Sequence, residues 1–530
     1  MHFEDRFSLV SLIKSFGKEK NICKVRGIGA KILEEDLITK DIHVATCLLN
    51  AYAKCGSLSE AQDVFQKLPT RNVVSWNALI SGYTQQGLGE IALKCFKEMK
   101  DEGISPDSIT YLCMFKACGT LGSLDIGEII EAEVRKQGLL RKDVLLGNSL
   151  IDMYMKCGAL EKAQEVFEEV PSRDTVTWTT LIAGYAQHRY GHKALNCFRK
   201  MQDEGVSPNV VTYIVVLKAC GIVRSLEVGE DIHAEVEKRG LLPKYMMLST
   251  SLVDMYAKCC ALEKAREVFE QISMRNVVCW NALISGYAQN GFGDEAVKCF
   301  KKMQDEGISP NVVTYICILK VCGFAVSLDV GRDLHAEIRK QGLMQKDVVL
   351  GTTLIDMYAK YGMLGQARET FEELPIQTIM SWNALMSEYA KQGQMHNALK
   401  CFEKMKSKGI SMNVITFLCI LKVCGSIGAI EKGKQVHEEI VNMGFLKEDT
   451  DIALGNAIVD MYAKFGVLSK AQALLEELPV RDVVSWNALI GGYAQHGHGH
   501  KALICFRLMQ SEGICPDRIT FLCLLNVCTH

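Results

Sequence analysis

Nine prolines and 43 glycines in 530 residues are too few, and a 48% apolar content too high, for a disordered or collagen-like chain. No run of about 18 or more apolar residues occurs, which argues against a membrane-spanning helix. An excess of one charge is also missing. The 60 basic and 62 acidic side chains leave a net charge of −2, which excludes a uniformly basic polymer-binding surface but leaves room for a local basic groove. Cys-x-x-Cys pairs, a Walker-type phosphate loop, a serine nucleophile elbow and an Arg- and Ser-rich presequence are all absent from the text. Cysteine, by contrast, is plentiful at 22 residues. In a small secreted domain that count suggests disulfides or metal, but this chain is large.

Length alone, at about 100–200 residues per domain, suggests three or four globular domains. The tryptophans replace that estimate. Trp76, Trp178, Trp280, Trp382 and Trp486 are spaced by 102, 102, 102 and 104 residues, in near-identical text such as SWNALISGY and CWNALISGY. The chain is therefore an array. Each period holds units of 35, 36 and 31 residues, seen first at 73–107, 108–143 and 144–174. Two extra residues near 447–451 account for the longer last spacing.

Each unit reads as two amphipathic helices. Trp76, Leu79, Ile80 and Tyr83 fall at i, i+3, i+4 and i+7, one helical face. Gly87 and Gly89 mark a turn; Ala92, Phe96 and Met99 repeat the helical spacing, closed by Gly103 and Pro106. Pro106, Pro208, Pro310 and Pro516 share one repeat position and Pro69, Pro171, Pro375 and Pro479 another, between hairpins, where a missing N–H costs least. One such hairpin cannot bury its apolar face alone, so the expected fold is all-α: a solenoid of stacked hairpins.

The 35-residue unit, VVSWNALISGY…A…CF..M…GI.PD, resembles the pentatricopeptide repeat, and the alternation of three lengths resembles the P, L and S repeats of its plant PLS subclass. The resemblance covers residues 6–530. It divides the chain into a degenerate L repeat at 6–41, then S 42–72, P 73–107, L 108–143, S 144–174, P 175–209, L 210–245, S 246–276, P 277–311, L 312–347, S 348–378, P 379–413, L 414–451, S 452–482, P 483–517 and a truncated L repeat at 518–530. The Trp-x2-Leu-Gly opening of tetratricopeptide repeats is absent. The resemblance implies a right-handed superhelix whose first helices line a groove for single-stranded RNA, with one nucleotide against each repeat.

In that family the fifth and last residues of a P or S repeat read the base. Here the corresponding pairs are Thr46/Asn72, Asn77/Asp107, Asn148/Asp174, Thr179/Asn209, Thr250/Asn276, Asn281/Asn311, Thr352/Thr378, Asn383/Asn413, Asn456/Asp482 and Asn487/Asp517. Asn and Thr carry donors and acceptors short enough to address a base edge, and Asp only accepts, so the second residue can bias the first. The resemblance implies uracil for Asn with Asp, cytosine for Asn with Asn and adenine for Thr with Asn. Thr352/Thr378 is left unread, as are the L repeats, whose fifth residues Leu112, Ile214, Ile316 and Leu418 are aliphatic. The implied target is 5′-NAUNUANACNNCNUU-3′. The second residues Val74, Val176, Val278, Met380 and Val484 would wedge between bases or simply pack. Lys54, Lys156, Lys258, Lys360 and Lys464 suit either a helix C-terminus or RNA phosphates.

Other chemistry has little support. His233-Ala-Glu235 and His335-Ala-Glu337 match half of a zinc deaminase site, but the Pro-Cys-x-x-Cys half is missing and both lie at one repeat position. The HGHGHK stretch at 496–501 occupies an inter-helix turn and reads as a loop. No catalytic residue, metal or cofactor is expected. The reading is sequence-specific RNA binding, as specificity factor for organellar cytidine-to-uridine editing in the mitochondrion or, alternatively, the chloroplast. Deamination would then come from a downstream domain or a partner protein. The alternatives are RNA stabilisation, splicing or translation by binding alone, and a tetratricopeptide-like protein scaffold. Both ends look cut. Of the cysteines, 17 recur at four repeat positions, such as Cys95 and Cys118, which makes them small packing residues in a reducing compartment.

Overall fold

The apolar faces read from the sequence are the ones that pack. Trp76, Leu79 and Ile80 are almost fully buried and Tyr83 nearly so, as are Ala92, Phe96 and Met99 on the following helix. The computed structural model describes residues 6–35, 37–140, 142–325, 328–446 and 452–528. Those residues form helices and short links, with no strand among them. The two extra residues near 447–451 lie outside the described residues.

Contacts divide the chain into two compact units, Met1–Met274 and Arg275–His530. Each is an α-helical solenoid of stacked hairpins. In the first unit the first helices of successive hairpins are Arg6–Lys18, Ile42–Lys54, Val73–Gln85, Ser108–Leu121, Val144–Lys156, Thr175–Gln187, Val210–Val223 and Met246–Lys258. In the second they are Val277–Gln289, Val312–Ala325, Val348–Lys360, Ile379–Lys391, Val414–Ile427, Ile452–Lys464, Val483–Gln495 and Arg518–Cys528. Within each unit a first helix packs on its own second helix and on the next first helix.

The hairpin turn is a Schellman closure. After Val73–Gln85, the Gly87 N–H donates to the Thr84 carbonyl and the Leu88 N–H to that of Tyr83, with Gly87 at φ +76°. Arg189 holds the corresponding position one period later at φ +63°, a left-handed conformation that costs a side chain about 1–2 kcal/mol. Close approach of first helices uses another glycine. A Cβ on Gly82 would lie 2.8 Å from the Cβ of Ala53.

Aromatic edges lock neighbouring hairpins. Trp76 meets Phe65 with ring centroids 4.5 Å apart, Trp178 meets Phe167 at 4.7 Å and Trp382 meets Phe371 at 4.6 Å, all edge-on. The Trp76 indole N–H donates to Glu102, which also pairs with Arg71; Trp486, Glu512 and Arg481 repeat that arrangement.

Candidate nucleic-acid interface

The last residue of nearly every sequence-assigned pair is the N-cap of the next first helix. Asn72, Asp107, Asp174, Asn209, Asn311, Asn413, Asp482 and Asp517 accept, through Oδ1, the N–H of the residue three positions on, at 2.8–3.1 Å. Asn276 accepts from Val278 and Cys279. Thr378 makes no such bond.

The fifth residues sit one turn further in and are largely buried. Thr46, Asn77, Asn148, Thr179, Thr250, Asn281, Asn383, Asn456 and Asn487 are each at most 9% exposed; Thr352 is half-buried. Five asparagines reach their assigned partners. Nδ2 of Asn77 donates to Asp107 at 2.8 Å, Asn281 to Asn311 at 3.0 Å, Asn383 to Asn413 at 3.1 Å, Asn456 to Asp482 at 3.0 Å and Asn487 to Asp517 at 2.9 Å. The threonines behave differently. Thr46, Thr179, Thr250 and Thr352 donate to the carbonyl four residues back in their own helix.

A third group, missed in the sequence, holds the asparagine amides. Thr110, Thr314, Thr416 and Thr520 donate their hydroxyls to Oδ1 of Asn77, Asn281, Asn383 and Asn487 at 2.6–2.9 Å. Each threonine is fully buried. With Nδ2 donating to the cap and Oδ1 accepting from threonine, the amide orientation is fixed, and one N–H and one lone pair stay uncommitted. Thr212 instead meets the Thr179 hydroxyl at 2.7 Å. The repetition of Thr three residues after the capping partner, in ITY, VTY and ITF, was the available signal.

Junctions from a 31-residue unit to a 35-residue unit lack this brace. Ser485 turns its hydroxyl to the Asp482 carbonyl, leaving Oδ1 of Asn456 buried without a partner. Thr177 turns to Asp174, and both amide atoms of Asn148 are unsatisfied, although Asn148 lies close enough to Asp174 to favour its ionised form. Burial pushes the Asp174 carboxyl up, but the Thr177 N–H and hydroxyl outweigh it and hold the group below its ordinary range. Asp517 is also held low, by the Thr520 N–H first and Asn487 next.

Two of these pairs open on a trough. Asn456, Asp482, Val484, Asn487, Asp517 and Ile519 line one stretch of about 740 Å³ in the second unit. The second residues are not packing residues. Val74, Val176, Val278, Met380 and Val484 are 46–58% exposed. The S-repeat lysines have partners inside their own helices: Lys156, Lys258, Lys360 and Lys464 pair with Asp152, Asp254, Asp356 and Asp460 at 2.6–2.7 Å.

The residual motifs have structural work. His233, His335 and His437 contact the hydroxyls of Tyr256, Tyr358 and Tyr462 through Nδ1, at 2.8–3.2 Å, and burial lowers the pKa of all three. His496 meets the Ala463 carbonyl at 3.1 Å. No metal-holding group of His, Cys, Asp and Glu occurs among the described residues. Cys118, Cys220, Cys322 and Cys424 are fully buried, and burial pushes the first two thiols up to about 12. Such thiols stay protonated and unreactive.

The description "PPR repeat family" matches residues 71–120, 173–221, 275–323, 377–426 and 481–530, and "PPR repeat" matches 44–73, 148–174, 249–277 and 352–375. The chain belongs to the pentatricopeptide repeat family. A pentatricopeptide repeat-containing protein of Arabidopsis thaliana is 35% identical over 99% of this chain and 72% of its own length. Two other relatives in that plant, 31% and 34% identical over 99% and 91% of this chain and 60% and 46% of their own lengths, are named chloroplastic and mitochondrial respectively. Among solved structures, the maize pentatricopeptide repeat protein PPR10 superposes with a TM-score of 0.52 at 20% identity, over 99% of this chain and 86% of PPR10. PPR10 has also been solved in complex with an 18-nt RNA element.

Proposed function

We propose that this pentatricopeptide repeat chain binds single-stranded RNA in a sequence-specific way, one base against each polar pair, as a specificity factor for cytidine-to-uridine editing in an organelle. The observation that carries the reading is the braced pair. At Asn77/Asp107, Asn281/Asn311, Asn383/Asn413 and Asn487/Asp517 a buried amide is oriented by two fixed partners and left one donor and one acceptor short. A base edge supplies such a complement, and exposed Val74 and its counterparts offer apolar surface to flanking bases. RNA binding by PPR10 and the organellar names of the relatives support the same reading. The editing role rests on the alternation of P, L and S repeats, with deamination supplied by another domain or a partner protein.

The test is retention of the 15-nucleotide target 5′-NAUNUANACNNCNUU-3′ against a scrambled strand, followed by Asn281→Thr. That change copies the Thr179/Asn209 combination and should move the preference at the ninth nucleotide from cytosine to adenine. Equal retention of both strands would sink RNA reading and favour a protein scaffold; an unchanged ninth position would sink the assigned code. Binding of the target without any influence on editing of its transcript would leave the array a stabilising or remodelling factor.

A further inference from the structure

The L repeats read no base in the assignment above, yet their first helices carry a recurrent cation. Lys14, Lys116, Lys218, Lys320 and Lys422 stand at the ninth position of successive L-repeat first helices, 102 residues apart throughout. On Ser108–Leu121, Ile109, Leu112 and Lys116 fall at i, i+3 and i+7, so Lys116 shares a face with the second and fifth residues. In the second unit the ninth positions of neighbouring S and P helices, Asp460 and Gly491, line the same trough as Asn456 and Asn487.

Charge separates the three repeat types at this level. The P helices carry Ser81, Ala183, Ser285, Ser387 and Gly491, all neutral. The S helices carry Asp152, Asp254, Asp356 and Asp460, each neutralised by the lysine four residues on; Asn50, ahead of Lys54, is the exception. The five L-repeat lysines are exposed, and none forms an ion pair among the described residues. An exposed ammonium with no carboxylate partner, on a face that presents base-sized polar sites, complements a phosphodiester.

We propose that Lys14, Lys116, Lys218, Lys320 and Lys422 contact RNA phosphates, so that the L repeats hold the backbone of the strand at the nucleotides whose bases they leave unread. The inference rests on the RNA-binding reading. It adds the L lysines to the basic component of the groove, beside S lysines that each already pair with a carboxylate of their own helix.

The experiment compares the full chain with a quadruple Lys116→Gln, Lys218→Gln, Lys320→Gln and Lys422→Gln variant. A control carries Lys136→Gln, Lys238→Gln and Lys340→Gln, exposed residues at the ends of L-repeat second helices. Affinity for the matched and the scrambled oligonucleotide is measured against salt, with circular dichroism to verify folding. The quadruple variant should lose affinity for both strands alike and flatten the slope of log affinity against log salt by up to about 2.8, four contacts at about 0.7 each. The control should keep the wild-type slope, and Lys→Arg at the four positions should restore it. A wild-type slope in the folded quadruple variant, or an equal loss in the control, overturns the inference while RNA binding stands. If the unaltered chain retains neither strand, the RNA-binding reading falls and the inference falls with it.

Discussion

The first helices of the 35-residue and 36-residue units, assigned above as P and L, share a scaffold and differ in side chains at two positions. Val73–Gln85 and Ser108–Leu121 both open on an Asx cap with a hydroxyl residue at the third position, and both bury an aromatic at the fourth, Trp76 or Tyr111. Both expose an aliphatic second residue, Val74 or Ile109. They part at the fifth and ninth positions, which carry Asn77 and Ser81 in one helix and Leu112 and Lys116 in the other. The fifth residue is buried in one helix, Asn77, and half-buried in the other, Leu112, while the ninth is half-buried as Ser81 and exposed as Lys116. The P helix also depends on the L helix. The hydroxyl that orients Asn77 comes from Thr110, 33 residues away, so a candidate pair is the property of two repeats.

Removing that hydroxyl should have the largest effect. Thr314→Val would leave the buried Oδ1 of Asn281 without its donor and the part-buried Asn311 N–H without its acceptor. The expected loss is about 1–3 kcal/mol of stability, read by urea unfolding, together with a weaker cytosine preference at the ninth nucleotide. Unchanged unfolding would show that the amide needs no brace.

Turning an L helix toward a P helix should have a smaller one. Leu112→Asn places an amide at the fifth position, but the next first helix has Leu146 in place of the bracing threonine. Base selection at the fourth nucleotide should rise from none to about fivefold, on the order of 1 kcal/mol, in oligonucleotide competition. A preference as strong as that of Asn77 would break the contrast between the two helix types.

The smallest effect tests what the two helices have in common. Arg189, at a turn where the other periods have glycine, and Arg224, at a helix end where two other periods have Gly122 and Gly428, both adopt positive φ. Arg189→Gly and Arg224→Gly should each stabilise by about 0.5–1 kcal/mol, seen as a higher thermal midpoint with RNA affinity unchanged. A gain at one turn and a loss at the other would mean that the scaffolds differ beyond the groove face.

Much of this was legible in the text. Trp76, Leu79, Ile80 and Tyr83 declared a buried stripe by spacing alone, because helical periodicity is a property of one segment. The pairing of Asp152 with Lys156 was also available, at i and i+4 of one helix, and points away from a free phosphate-binding lysine. Whether Val74 packs or protrudes was not available, since an aliphatic residue reads the same in either place.

The sequence by itself determined the array, the helical hairpins, their turns and the candidate positions, because each is written in a local pattern copied period after period. Only the tertiary structure decided which groups hold the candidate residues. Thr110 meets Asn77 while Ser485 turns away from Asn456, and that choice depends on how one first helix seats against the next. A hydroxyl has one proton to give, and the distance to two competing acceptors is fixed by packing between helices.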